Sequence, residues 1–312
     1  MQYITDSEFH IDHSAVALGK FEGIHRGHQL LIQEITNHED KLQSVMFTFS
    51  MPPAILLKGA KYQTIYTKEE RHHILEGMGI DILIEYPFTR EFASMTPSDF
   101  IHKVLVEKVG AKLVVIGADF HFGKNRSGSI EDLEKYKDEC GYDLKVIDKL
   151  QIDGKDVSST RIRECLTEGD MEMVTKLLGR PYSVHGTVIH GKELGRTIQI
   201  PTVNQEIKKE KFAPRNGVYV SRIILDSIEN SSEKKVYYGI TNVGVKPTVK
   251  DTLEKNIETN IFDFSGDLYD RKLTVELLHF KRPEIKFDSV EALKAQMMQD
   301  IQFGRGFVQE LK

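Results

Sequence analysis

The chain is short of cysteine, lacks long apolar runs and carries no net positive charge, and each of these excludes a class of function. Only two cysteines occur in 312 residues, Cys140 and Cys165. No CxxC pair or Cys/His cluster accompanies them. That argues against a structural zinc site and a disulfide framework, and it fits a reducing compartment. No stretch approaches the roughly 20 consecutive apolar residues that span a bilayer. The opening residues, Met1-Gln2-Tyr3-Ile4-Thr5-Asp6, lack a basic region followed by an apolar run and do not read as a secretory signal. The expected location is the cytoplasm, without a membrane partner. Lys and Arg number 42 against 47 Asp and Glu, a formal net charge of -5. Nucleic-acid binders usually carry a basic patch or domain, so no nucleic-acid partner is expected. Internal repeats and low-complexity tracts are absent.

What is present is an ordinary globular composition, 40% hydrophobic, with a length that favours two domains at roughly 100–200 residues each. The first half alternates strand-like and helix-like segments. Residues 15–18 form an apolar run ending at Gly19, and 28–35 follow with helical spacing. Strands are expected at 44–49, 82–84, 112–116 and 144–147. Thr67 and Glu70 make a capping-box signature, Thr96-Pro97 an N-cap with proline at the first helical position, and Ser129 a further cap. This rhythm predicts a parallel α/β sheet. Beyond Gly179-Arg180-Pro181 the pattern turns to β-type runs at 182–189, 217–225, 236–243, 256–262 and 272–280, broken by Gly, Asn, Asp and Pro clusters. A small barrel or sandwich is expected, closed by a helix at 289–301. The boundary falls between Leu178 and Ser183, giving domains 1–180 and 181–312.

Chemistry concentrates first at Gly19-Lys20-Phe21-Glu22-Gly23-Ile24-His25-Arg26-Gly27-His28, where a strand passes through a glycine-bearing turn into a helix. A helix N-terminus offers unpaired N–H groups and a positive dipole end, a natural phosphate seat. Gly23 and Gly27 permit close backbone approach. His25 and His28, three residues apart, can face one ligand. Imidazole N–H groups suit adenylyl transfer, where charge builds on the α-phosphate and the leaving pyrophosphate. The plainer reading is two surface histidines on an ordinary helix. A second cluster, Val157-Ser158-Ser159-Thr160-Arg161-Ile162-Arg163, places hydroxyls at a helix start, with Arg161 or Arg163 able to clamp a triphosphate. By itself it is a capped helix with two arginines. Joined to His25-Arg26-Gly27-His28, it resembles the HxGH nucleotidylyltransferase superfamily, in which the two motifs jointly bind ATP. The resemblance implies catalytic roles for His25, His28 and Arg163, and ATP contacts at Gly19, Phe21, Gly27, Ser159, Thr160 and Arg161.

The acceptor is indicated by Gly117-Ala118-Asp119-Phe120-His121-Phe122-Gly123-Lys124-Asn125-Arg126-Ser127-Gly128, a loop after a strand, where open α/β sheets bind ligands. Phe120 and Phe122 also suit plain core packing. The whole string resembles the FMN-accepting loop of prokaryotic FAD synthetases, which implies flavin contacts at Asp119, Phe120, Phe122 and Asn125.

In the second domain, His185-Gly186-Thr187-Val188-Ile189-His190-Gly191-Lys192-Glu193-Leu194-Gly195-Arg196-Thr197-Ile198-Gln199-Ile200-Pro201-Thr202-Val203-Asn204 resembles the riboflavin kinase family, whose signature ends Pro-Thr-Ala-Asn. Thr and Asn oxygens are hard ligands suited to Mg²⁺ held with ATP phosphates, which assigns Thr202 and Asn204. Gly191, Lys192, Gly195 and Arg196 belong to a cationic turn that can cover the phosphates. The segments 239–248, 257–269 and 280–287 follow the same family in order. The resemblance makes Glu258 the general base for the riboflavin 5′-hydroxyl. It thus implies a prokaryotic bifunctional riboflavin kinase/FAD synthetase: an α/β Rossmann-like nucleotidylyltransferase domain followed by a small β-barrel kinase domain with a terminal helix. Its substrates are riboflavin, FMN and ATP, with Mg²⁺, and oligomeric state is left open. Several positions depart from the family pattern. Met51-Pro52-Pro53 replaces Pro-His-Pro. His121 and Lys246 stand for Arg, Val203 for Ala, Gln199-Ile200 for Gly-Phe, Asn260 for His and Asp270 for Gly. The competing readings are a single-activity paralogue that keeps the other domain for flavin binding or regulation, a flavin-sensing protein without turnover, and a transferase with another acceptor.

Overall fold

The computed structural model describes residues 1–37, 42–51, 62–191, 200–225, 235–247 and 253–311. Packing divides the chain into two compact units, Met1–Ser158 and Ser159–Lys312.

The first unit is built on a six-stranded parallel sheet with spatial order β1-β4-β3-β2-β5-β6. Its strands are β1 Gln2–Ile4, β2 Ser14–Leu18, β3 Gln43–Phe49, β4 Ile82–Tyr86, β5 Ala111–Gly117 and β6 Asp143–Ile147. Strands β2 and β4 are buried along their whole length and β3 along its middle, as parallel strands covered on both faces must be. On one face Val16, Leu18, Val45, Phe47, Ile84, Val114 and Ile116 pack with Phe100, Val104 and Leu133. On the other, Ala15, Ala17, Met46, Leu83 and Val115 meet Leu31, Ile32 and Ile35 of α1 (Arg26–Thr36) and Leu75 of α2 (Lys68–Glu76). The Thr67–Glu70 capping box opens α2. Thr96 caps the Pro97–Asp99 turn, which continues in π geometry over Phe100–Val106. The short strands β7 Gln151–Ile152 and β8 Lys155–Asp156 form a separate hairpin, and α3 spans Ile130–Cys140. From β2 the chain steps outward through β3 to β4, then returns to place β5 on the other side of β2. The β2/β5 junction is therefore the topological switch point, where ligands bind at the strands' C-terminal ends.

The second unit opens with α4 (Ser159–Glu168) and α5 (Met171–Leu178). Met171, Val174, Leu177 and Leu178 are fully buried, and α5 packs on the strands at one edge of an antiparallel sheet. That sheet has six strands: β9 Tyr182–Thr187, β10 Val203–Glu206, β11 Gly217–Leu225, β12 Lys235–Pro247, β13 Leu253–Ile261 and β14 Lys272–Arg282, in the order β10-β13-β12-β11-β14-β9. The two edges meet. Ile189 N–H donates to Asn204 O at 2.8 Å, and buried Gln205 Nε2 donates to Gly186 O (2.8 Å) and Leu273 O (3.0 Å). The sheet closes into a near-barrel through this seam. Inside, a buried hydroxyl chain runs from Ser221 to Thr241 (2.8 Å) and on to Thr259 (2.9 Å). Terminal helix α6, Val290–Glu310, covers one outer face. Val308 packs there with Val218, Val220, Ile240 and Phe262. A Cβ on Gly304 would lie 2.8 Å from Ile240 and 3.0 Å from Phe262, so glycine sets the closeness of that contact. Asp300, 2% exposed, pairs with Lys281 and Arg282, both at 2.6 Å. Burial pushes its carboxyl up, but the hydrogen bonds from Arg282, Lys281 and Gln296 win and hold it below the ordinary value.

Two candidate active sites

The first cluster lies at the switch point. Phe21 is fully buried in left-handed backbone at φ 46°, and Gly23 and Ile24 also take positive φ. The turn thereby aims the chain into α1, with His25 as its N-cap. His25 Nδ1 accepts from His28 N–H at 3.3 Å, which leaves Nε2 to carry the proton of the neutral ring. The two imidazoles stack with centroids 3.6 Å apart and planes 16° apart, and Phe21 backs His28 at 5.2 Å. A Cβ on Gly27 would stand 3.3 Å from the His25 ring, tighter than ordinary contact. Gly19 ends β2's run, its N–H donating to Phe47 O. The three-residue spacing that lets both histidines face one ligand brings them together here as a stacked pair.

The loop after β5 leaves from the other side of the same junction. Phe122 is buried in the core, 5.2 Å from Phe100. Phe120 is half-buried and stacks on Phe122 at 5.7 Å. Asn125 is exposed at φ 55°, and exposed Asp119 pairs with Lys149 at 3.2 Å. Of the four predicted flavin residues, Phe122 is thus a core buttress, while Phe120, Asp119 and Asn125 line the loop's accessible side. Ser159, Thr160, Arg161 and Arg163 all lie on α4 in the second unit. There Arg163 Nη1 donates to Ser159 O at 3.3 Å and Arg161 Nη2 approaches Met173 Sδ at 3.4 Å.

The second cluster is assembled by strand register. Antiparallel pairing sets Asn204 directly opposite Glu258 and Glu258 directly opposite Asn242. Thr259 points inward with Thr241, so Glu258 and Asn260 lie together on the outer face. Asn260 Nδ2 donates to Pro201 O at 2.8 Å, tying the Pro201-Thr202-Val203-Asn204 segment to β13. Asn204 is 5% exposed, and a Cβ on Gly191 would lie 2.4 Å from its Nδ2. Only glycine lets that carboxamide sit there. His190 stacks on Tyr269 at 3.8 Å. Next to it, Asp270 N–H donates to Val188 O. Lys192, Gly195 and Arg196, with Gln199, Pro52 and Pro53, lie outside the described residues.

Residues 8–161 match the FAD synthetase family profile and residues 178–308 the riboflavin kinase profile. A bifunctional riboflavin kinase/FMN adenylyltransferase of Listeria monocytogenes is 33% identical over 99% of this chain and 97% of its own length. The chain belongs to this bifunctional family. The Escherichia coli K12 member is 32% identical over 94% of this chain and 92% of its own. A crystal structure from Streptococcus pneumoniae, described as a macrolide-efflux protein, superposes with a TM-score of 0.85 at 31% identity, covering 97% of this chain and 98% of that one. Among the described residues no helix is long and apolar enough to cross a membrane.

Two departures from the family pattern acquire structural content. Asp270, where glycine is usual, occupies left-handed backbone at φ 61°, a conformation that Asp tolerates better than most residues. Asn260, where histidine is usual, makes the Pro201 tether. Sequence reasoning missed the tether and the Gln205 seam, because both depend on which strands become neighbours.

Proposed function

We infer that this protein phosphorylates riboflavin with ATP to give FMN and ADP, and adenylylates FMN with a second ATP to give FAD and pyrophosphate. One observation carries the reading: a single chain related to bifunctional enzymes over 99% of its length holds both polar clusters intact. His25 and His28 stack at a helix start on the switch point, and Asn204 and Glu258 face each other across the barrel strands.

In the kinase step, Glu258 takes the proton of the 5′-hydroxyl. The freed oxygen bonds to the γ-phosphorus of ATP, and the β–γ bridging oxygen leaves with ADP. Thr202 and Asn204 offer a hydroxyl and a carboxamide oxygen, a donor set suited to Mg²⁺ that also keeps phosphate ligands. The carboxamide is held ready by the space Gly191 leaves. Bound there, Mg²⁺ would neutralise charge on the phosphates. Gly191 and, further along the sequence, Lys192, Gly195 and Arg196 are assigned to the ATP phosphates.

In the transferase step, a phosphate oxygen of FMN attacks the α-phosphorus and pyrophosphate departs. His28, buttressed by His25 and Phe21, donates to the developing charge, and the α1 N-terminus with Gly19 and Gly27 allows close approach. Arg163, Arg161, Ser159 and Thr160 are assigned to ATP. Phe120 offers its ring to the flavin, supported from beneath by Phe122, with Asp119 and Asn125 at its rim. Two free cysteines, Cys140 and Cys165, and ATP as substrate suit a reducing compartment such as the cytoplasm.

The test is to incubate the pure protein with riboflavin, ATP and Mg²⁺ and follow flavins by chromatography. FMN should appear first and FAD after it, and chelation of Mg²⁺ should stop both. Failure to form either flavin product would overturn the reading.

A further inference from the structure

Beside Glu258 the outer face of the barrel carries a second carboxylate that neither step above uses. Glu284 is exposed, yet both its oxygens are fixed. Asn242 Nδ2 donates to Oε1 and Asn216 Nδ2 to Oε2, each at 3.2 Å. Asn242 is the residue directly opposite Glu258, and facing Cβ atoms on paired strands stand about 5 Å apart. Glu284 is therefore one strand step beyond the general base, on the same face. Room for it is made by Gly244, where a Cβ would lie 2.6 Å from Glu284 Oε1.

This carboxylate is held by two amides and interacts through space with half-buried Lys255, without a direct ion pair. Among the described residues no Lys or Arg lies within ion-pair distance of it. The two amide donors use about half of the four acceptor positions that a carboxylate offers. An orphan donor lies nearby. Asn256, 7% exposed, stands opposite Gly244 and two residues before Glu258, so it shares the outer face. Among the described residues its buried Nδ2 has no hydrogen-bond partner. An unmet donor of this kind is costly. A set with spare carboxylate acceptors and an unmet amide donor matches a hydroxyl, which both donates and accepts. It does not match a phosphate, which the carboxylate would repel.

We propose that Glu284, oriented by Asn216 and Asn242, determines acceptor specificity in the kinase site by accepting hydrogen bonds from the interior ribityl hydroxyls of riboflavin. The proposal rests on the kinase reading of the Asn204–Glu258 pair. With the 5′-hydroxyl at Glu258, the remaining hydroxyls of the same carbon chain run along the face that Asn242 and Glu284 occupy. Glu284 leaves the phosphates alone, so its loss acts on riboflavin and spares ATP.

The experiment compares the full-length parent with Glu284→Gln in initial rates of FMN formation. Riboflavin is varied at saturating ATP and Mg²⁺, then replaced by an analogue lacking one interior ribityl hydroxyl. A hydrogen bond to a charged acceptor predicts that KM for riboflavin rises about 10- to 100-fold in the variant. KM for ATP and FAD formation from supplied FMN should stay at parental values. The parent should favour riboflavin over the analogue, and the variant should lose that preference. Asn216→Ala, which keeps the carboxylate but frees one oxygen, should shift the riboflavin KM in the same direction by less. A variant with the parental riboflavin KM and preference overturns the proposal while leaving the kinase reading intact. So does a parent that phosphorylates the analogue as efficiently as riboflavin, however the variants fold. A parent that makes no FMN overturns the kinase reading and this proposal with it.

Discussion

Gly191→Ala is the sharpest perturbation the kinase site offers. The added Cβ would lie 2.4, 2.7 and 2.9 Å from Nδ2, Cγ and Oδ1 of Asn204, where 3.4 Å begins ordinary contact. The carboxamide must retreat by about 1 Å at its nearest atom. The backbone cannot absorb this cheaply, because Asn204 O accepts from Ile189 N–H at 2.8 Å in the seam that closes the barrel. The strain therefore falls on the side chain assigned to Mg²⁺. Overpacking at a buried group costs about 1–3 kcal/mol of stability. Displacing a group around a metal typically costs about 10- to 100-fold in metal affinity or activity. The expected variant is folded, with a Tm a few degrees lower, and needs more Mg²⁺ for FMN formation. Adenylylation of supplied FMN is the internal control and should be unchanged. The assay is a Mg²⁺ titration of both reactions at saturating ATP. A variant whose kinase Mg²⁺ dependence and maximal rate match the parent would refute the placement of Asn204 at the metal.

Four further outcomes follow from the same geometry. His28→Ala should lower FAD formation from FMN by about 10²–10³-fold while sparing FMN formation; a folded variant with parental adenylylation would show that the first site is misplaced. Glu258→Gln keeps shape but cannot take the proton, so riboflavin phosphorylation should fall about 10²–10⁴-fold, and a loss of only a few-fold would exclude it as base. Fully buried Glu85 is reached by Lys68 at 2.6 Å, by Arg71 and by His72 at 3.2 Å. Burial pushes its carboxyl up, but the Lys68 hydrogen bond and the Arg71 and His72 interactions outweigh that and hold it below 4.5. A depressed carboxylate stabilises the fold above its unfolded value and loses that contribution as pH falls through the lower folded one. Urea unfolding should thus show Glu85→Gln costing about 3 kcal/mol or more at pH 7, with a shallower loss than the parent below pH 4.5; parallel acid limbs would count against it. Finally, fragments 1–180 and 181–312 should each fold, and 159–312 should be more stable than 181–312, since only the longer piece retains the buried face of α5; aggregated halves, or equal stabilities, would contradict this.

Local chemistry made much of the first unit legible. Apolar runs ending in glycine gave β2 and β5, Thr67 with Glu70 gave the start of α2, and Thr96-Pro97 gave the next helical turn. Short or exposed elements escaped. β1 has three residues and no fully buried position, and β10 has four, too few for a period to declare itself. The terminal helix was expected to stop at 301 but runs to Glu310. Gly304 and Gly306 look like breakers in one dimension, while in the fold Gly304 is where the helix presses on Ile240 and Phe262.

The residue types of both proposed sites were therefore legible in the sequence: two imidazoles at a helix start, and a Thr, an Asn and a Glu in the barrel. Their arrangement was not. Asn204 meets Glu258, and Asn260 meets Pro201 59 residues away, only because β10 and β13 are neighbours in one register, and a one-residue slip would turn each side chain to the opposite face. The switch point likewise exists only once β5 has crossed back beside β2. Propensity, capping and hydrophobic period act over a few residues and can be read along the chain. Strand order and register are settled by burial of whole faces, and that energy belongs to the tertiary structure.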